Sequence, residues 1–116
     1  MQLIDTHSHL YAEEFDADRS EAIARARDGG VSTLLLPAID SESHERMFSL
    51  SLAEPEMCRP MIGLHPTSIN DNPRWREELS EVEQYLNSPP QGIEFCAVGE
   101  IGLDYYWQEP EKEIQQ

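Results

Sequence analysis

Short apolar runs alternate with amphipathic stretches four times along the chain, and this alternation predicts βαβ units wound around a parallel sheet. The first run covers residues 2–6. The helix after it is expected at about residues 17–28, with Asp16 as N-cap, Ala22, Ile23 and Ala26 on one face, and Gly29-Gly30 as its stop. Val31-Ser32-Thr33-Leu34-Leu35-Leu36 reads as a second strand ended by Pro37. A second helix follows over residues 41–53, capped by Asp40 or Ser41 and terminated before Pro55. Residues 57–63 predict a third strand, in which Pro60 signals an irregular or edge start. Trp75, Leu79, Val82 and Leu86 fall at i, i+4, i+7 and i+11, the apolar stripe of a third helix with Trp75 in the core, which Ser88-Pro89-Pro90 breaks. Residues 93–98 complete a fourth strand.

Near the end, Pro110, Glu111 and Glu113 read as a first helical turn, with proline at N1 and acids by the positive end of the dipole. The sequence ends at Gln116 before that unit closes. Four strands with three to four helices make half of an eight-unit barrel, whose usual length is about 250 residues. The expected organisation is therefore one incomplete α/β domain over residues 1–116, the N-terminal half of a TIM-like (β/α)8 barrel. A half-barrel leaves apolar edge strands unpaired, which favours self-association.

Composition narrows the function classes. The 116 residues hold 39% hydrophobic positions, and eight Lys and Arg against 23 Asp and Glu leave a net charge of −15. Such a surface repels phosphate backbones, so a passive nucleic-acid-binding module is disfavoured. A metal-dependent enzyme escapes that objection, because a divalent ion dominates the charge of its own site. The first residues carry neither a basic region nor a long apolar stretch, which predicts no signal peptide, no membrane span and a cytoplasmic location. Cys58 and Cys96 lie in or beside apolar runs without Cys-x-x-Cys spacing, so they read as small buried residues with no assigned chemistry.

Candidate chemistry gathers where α/β folds place it, just past the C-terminal ends of parallel strands. His7 and His9 follow the first strand. With a rise of about 3.3 Å per residue, extended backbone points both rings the same way, roughly 7 Å apart at Cα, so they can converge on one metal ion. Glu100, between Gly99 and Gly102 after the fourth strand, reads as a metal-binding or ion-bridging carboxylate, or else as an exposed loop acid. His65 stands on the Gly63-Leu64-His65-Pro66 turn after the third strand, placed to contact phosphate or orient water, or simply solvated. Asp104 would either accept a hydrogen bond from a ligand histidine and set its tautomer or cap local backbone. His44 is read as surface, and Tyr105, Tyr106 and Trp107 as barrel-rim packing or a base-stacking surface.

Three stretches, Asp5-Thr6-His7-Ser8-His9-Leu10, Gly63-Leu64-His65-Pro66 and Val98-Gly99-Glu100-Ile101-Gly102-Leu103-Asp104-Tyr105, stand in register with one family. Across its whole length the chain resembles the TatD-type metal-dependent deoxyribonucleases, within the amidohydrolase-like metal-dependent hydrolases. That resemblance implies a TIM-like barrel that binds one or two divalent ions and hydrolyses phosphodiester bonds of DNA, often from the 3′ end. It implies His7 and His9 on the first ion, Glu100 bridging to a second, and His65 on the scissile or a neighbouring phosphate. The family completes its site with two later histidines and an aspartate, and no histidine follows Glu100 here. Thr67 stands where relatives often carry another histidine.

On this reading the complete protein is a metal-dependent DNA hydrolase, with the chain as it stands inactive or weak. Mixed imidazole and carboxylate ligands admit zinc, manganese or iron, and magnesium only with mainly oxygen donors. The rival readings are a related hydrolase of another phosphoester or an amide, and a non-catalytic half-barrel acting through association.

Overall fold

The computed structural model describes residues 1–107 and 112–116. Four parallel strands lie in the order β1-β2-β3-β4, with β1 at Leu3–Asp5, β2 at Val31–Pro37, β3 at Cys58–Ile62 and β4 at Ala97–Val98. Helices α1 (Arg19–Asp28), α2 (Ser41–Ala53), α3 (Ser68–Asp71) and α4 (Trp75–Asn87) fill the connections, and α5 takes Lys112–Gln115. The register pairs Leu34 with Cys58, Leu36 with Pro60, and Ile62 with Val98. The alternation of apolar runs thus becomes half of a β/α barrel.

β2 is the axis of the core. Leu34, Leu36, Met47 and Ile62 are buried, and Phe48, Val82 and Ile93 pack with them. β1 differs from its neighbours in being exposed along its length, with Ile4 61% accessible, because it is an edge strand with no element on its outer side among the described residues.

The proline marks the edge start expected for β3, since Cys58 to Pro60 pair with β2 alone and β4 joins only at Met61. Pro60 pairs with Leu36 inside the sheet, and its carbonyl accepts from Cys96 N at 3.0 Å. Carbonyl and nitrogen of one strand residue face the same way, so the missing donor falls on the β4 side, where pairing begins only at Met61. The ladder to β2 keeps its bonds. β4 is correspondingly short, two residues where six were expected.

The helix boundaries follow side-chain chemistry. Asp40 and Ser43 form a reciprocal capping box at the start of α2, with Ser43 N donating to Asp40 Oδ1 at 2.9 Å. Asp16 does not cap α1, which begins at Arg19 behind Asp18. It instead accepts from Arg19 at 2.7 Å and from Arg46 at 2.7 and 3.1 Å, tying α1 to α2, and the hydrogen bonds from Arg46 and then Arg19 hold its carboxyl down to about 2. On α4, Val82 is buried as expected, but Trp75 is only half-buried and Leu79 and Leu86 are exposed. Glu78 is buried in their stead, because its carboxylate accepts from Ser41 N at 3.1 Å at the unsatisfied first turn of α2.

Two further corrections concern burial. Cys96 is exposed while Cys58 is buried, and both thiols are free. His44 is no surface residue: it is 2% accessible, stacked on Phe48 and edge-on to Tyr85, with Nε2 unpartnered. Burial lowers its pKa from 6.5, against a backbone hydrogen bond at Gly63 and the carboxylates of Glu81, Asp40 and Glu78. Below pH 6.5 the unfolded chain therefore takes up a proton that the fold refuses, and stability declines until the lower native value is passed. Thermal unfolding followed between about pH 7 and about pH 5 is expected to show a shallower slope in His44→Asn than in the parent. Equal slopes would exclude His44 as a source of that acid sensitivity.

The expected first helical turn at Pro110 and Glu111 lies outside the described residues, while Glu113 sits in α5. No helix among the described residues is long and apolar enough to cross a membrane.

Candidate metal centre

The segment that leaves β2 places every element of the site. Tyr11 donates its hydroxyl to Pro37 O at 2.6 Å, Glu100 donates its backbone N–H to Ala38 O at 3.0 Å, and His65 donates its backbone N–H to Ile39 O at 2.8 Å. Ala38 N in turn reaches Gly99 O at 3.0 Å. Three consecutive carbonyls, beginning with the last residue of β2, therefore template the loops after β1, β3 and β4. Gly63 lets the last of these approach, since a Cβ there would lie 2.5 Å from Glu100 O and from Gly99 C.

On that template the sequence-derived residues converge. His7 Nε2 and His9 Nε2 lie 3.0 Å apart, at 3.6 and 3.9 Å from Glu100 Oε2. His65 Nε2 faces the other carboxylate oxygen at 3.2 Å. His7 is the most open of the four, and the other three are roughly one-quarter to one-third exposed. Burial, then the neighbouring His7, lowers the His9 pKa below its usual 6.5, against the pull of Glu100. That favours the neutral imidazole a metal requires. One ligand atom each from His7, His9 and Glu100 lies within 4.8 Å of the others, a two-nitrogen, one-oxygen donor set that fits a divalent cation with open coordination positions.

His65 plays a different part from the His7–His9 pair. Its Nδ1 accepts from Thr67 N at 3.2 Å and contacts Thr67 Oγ1 at 2.7 Å. A backbone N–H can only donate, so Nδ1 is unprotonated and Nε2 carries the proton. The ring presents a donor to the site, where Glu100 now takes it.

Asp104, expected as the partner of a ligand histidine, takes the other of its two sequence readings. Its Oδ1 accepts from Tyr106 N at 2.9 Å and Trp107 N at 3.1 Å, capping local backbone, and no histidine bonds to it among the described residues. Tyr105, Tyr106 and Trp107 are exposed rather than packed into a rim. Tyr11, which the sequence reading passed over, is 2% accessible and touches His9 Nδ1 at 2.9 Å. Burial raises its phenol to about 12, so the hydroxyl stays protonated. Strand alternation does not reveal it, because β1 ends at Asp5 and Tyr11 sits in a turn closed by Ala12 N on His9 O at 2.9 Å.

The strand ends of this half of a β/α barrel thus carry a His-x-His pair, a carboxylate and a third histidine within reach of one another. The chain belongs to the family described as TatD related DNase, whose model matches residues 4–116. The uncharacterized metal-dependent hydrolase YabD of Bacillus subtilis (strain 168) is 33% identical over 117 residues, covering 97% of this chain and 42% of the relative. The 3'-5' ssDNA/RNA exonuclease TatD of Dickeya dadantii (strain 3937) is 31% identical over 103 residues, 89% of this chain and 37% of the relative. The crystal structure of YjjV, a TatD homolog from Escherichia coli K12, matches with a TM-score of 0.81 at 32% identity, covering 98% of this chain and 42% of that one. The chain thus spans about two-fifths of the length of these relatives.

Proposed function

We propose that this chain forms the first-metal half of a DNA-hydrolysing centre, in which His7, His9 and Glu100 hold a divalent ion and Glu100 extends toward a second. The observation that carries this reading is the convergence of three histidines on the two oxygens of Glu100, at 3.2 to 3.9 Å. The names of relatives support it, metal-dependent hydrolase in one case and 3'-5' ssDNA/RNA exonuclease in another. A bound ion supplies Lewis-acid stabilisation of phosphate charge and acidifies water into a nucleophile. Two nitrogens and one oxygen favour zinc or manganese over magnesium.

The chain's own groups do the rest. His7 and His9 fix the cation's position at the end of β1, and His65 turns its Nε2–H toward a phosphate oxygen of the substrate. Asp104 keeps the segment after Glu100 folded back by capping it, and exposed Tyr106 and Trp107 offer ring faces on which a base stacks. A surface of net charge −15 leaves the cation as the point of attraction for a nucleic-acid strand. Three ligands are fewer than a dinuclear site needs, so turnover is expected only where further donors complete the barrel. The open edges, with Ile4 61% and Val98 50% accessible, suit covering by further strands or by a second copy. Two free thiols support a reducing, cytoplasmic setting.

The test is release of nucleotides from 3′-labelled single-stranded DNA by the full-length protein as encoded, with manganese or zinc and then with chelator. Release that chelator abolishes is the expected result. Undiminished cleavage in chelator, or hydrolysis of non-nucleotide esters with DNA untouched, would overturn the proposal.

A further inference from the structure

Tyr11 occupies a position that the metal reading leaves unexplained. Its ring is 2% accessible and edge-on to His9, with centroids 5.6 Å apart, and its hydroxyl lies between His9 Nδ1 at 2.9 Å and Pro37 O at 2.6 Å. A phenol has one proton. A carbonyl oxygen has none and can only accept, so that proton is committed to Pro37. The neighbouring Ser43 hydroxyl does not compete for it, since it donates to Asp40 O at 2.7 Å and accepts from Ile39 N at 2.9 Å and Asp40 N at 3.1 Å.

Only the lone pairs of the Tyr11 oxygen are left to face His9. A 2.9 Å contact to Nδ1 is then favourable in one way alone, with Nδ1 protonated and donating. In a neutral ring this leaves Nε2 bare, directed at His7 Nε2 3.0 Å away and at Glu100. The chain Pro37 carbonyl, Tyr11 hydroxyl, His9 Nδ1 therefore fixes both the tautomer and the rotation of one ring of the candidate site. His65 is held in the opposite tautomer by Thr67 N. The two histidines are thus set apart by their outer partners, one with a free lone pair and the other with a proton to give.

We propose that Tyr11 is the positioning residue of this centre: relayed from the last carbonyl of β2, it locks His9 with Nε2 unprotonated and aimed at the cation position. The proposal rests on the metal-centre reading for its purpose, while the tautomer it assigns stands on hydrogen bonds alone. Outer partners of ligand histidines change metal affinity by about 10–100-fold when removed. Phenylalanine at position 11 keeps the packed ring and deletes the relay.

Two measurements on the full chain separate the possibilities. Nitrogen-15 correlation spectra of the metal-free parent at neutral pH are expected to show His9 protonated at Nδ1 and His65 at Nε2. An Nε2-protonated His9 would overturn the proposal without any variant. Zinc affinity, read by competition with a chromophoric chelator, is expected to weaken about 10–100-fold in Tyr11→Phe, with a mixed His9 tautomer and an unchanged far-ultraviolet spectrum. Parent-like affinity together with a parent-like tautomer would also overturn it. Failure of the parent to bind zinc at all, with the tautomers as assigned, would instead sink the metal reading and leave the relay standing.

Discussion

Glu100→Ala is expected to cost at least about 100-fold in affinity for zinc or manganese, and with it the chelator-sensitive cleavage of DNA by the full-length protein. Its two oxygens are the only described acceptors facing His7, His9 and His65 together, at 3.6, 3.9 and 3.2 Å. Alanine leaves two imidazoles and no anionic donor, and no neighbouring acid among the described residues completes the cluster. The fold is expected to survive, because the loop is held by its backbone, through Glu100 N on Ala38 O and Gly99 N on Ile62 O. Titration calorimetry with either ion, beside a melting curve, checks both halves. Retained affinity would exclude Glu100 as a ligand, and a collapsed melting temperature would make it a structural residue.

Gly63→Ala is expected to damage stability and site at once. The added methyl would meet Glu100 O and Gly99 C at 2.5 Å and Gly99 O at 2.7 Å, all backbone atoms that cannot swing aside as a side chain does. Either β3 or the Gly99-Glu100 segment must retreat, and the bonds at stake include Ala38 N to Gly99 O at 3.0 Å and Glu100 N to Ala38 O at 3.0 Å. Overpacking of this kind costs about 1–3 kcal/mol. In a domain near 100 residues each kcal/mol lowers the melting temperature by about 4–8 °C. Ion affinity should fall in the same variant, since the carboxylate leaves the histidines. A parent-like melting curve in Gly63→Ala would show that this close approach does not constrain the loop.

Much of this architecture was legible in the chain because it rests on local rules. The Asp40 cap, the apolar run of β2 and the break after α4 each follow from side-chain type and spacing within a few residues. The four residues at the strand ends were legible for the same reason, since a parallel sheet sends every strand terminus to one face. His44 was misread although its pattern was available: His44, Met47, Phe48 and Ser51 fall at i, i+3, i+4 and i+7, and all four are buried. Polarity outweighed periodicity in that reading. Asp16 and Glu78 were beyond reach, because their partners lie on other helices and depend on how those helices pack. The role of Pro37, Ala38 and Ile39 was hidden for a deeper reason. They act through backbone carbonyls, which every residue possesses and no sequence pattern marks.

The strand order has a mechanical side. His7 and His9 leave one outer strand of the four-stranded sheet and Glu100 leaves the other, yet their ligand atoms lie within 4.8 Å. The sheet must curl for its two margins to meet there. A cation shared by these donors is therefore also a clasp, closing a loop of chain that runs from the first strand to the last. Loading such a site would reinforce a curl that the backbone bonds of the Gly99-Glu100 loop to Ala38 and Ile62 already set, so the outer strands are drawn together before an ion arrives.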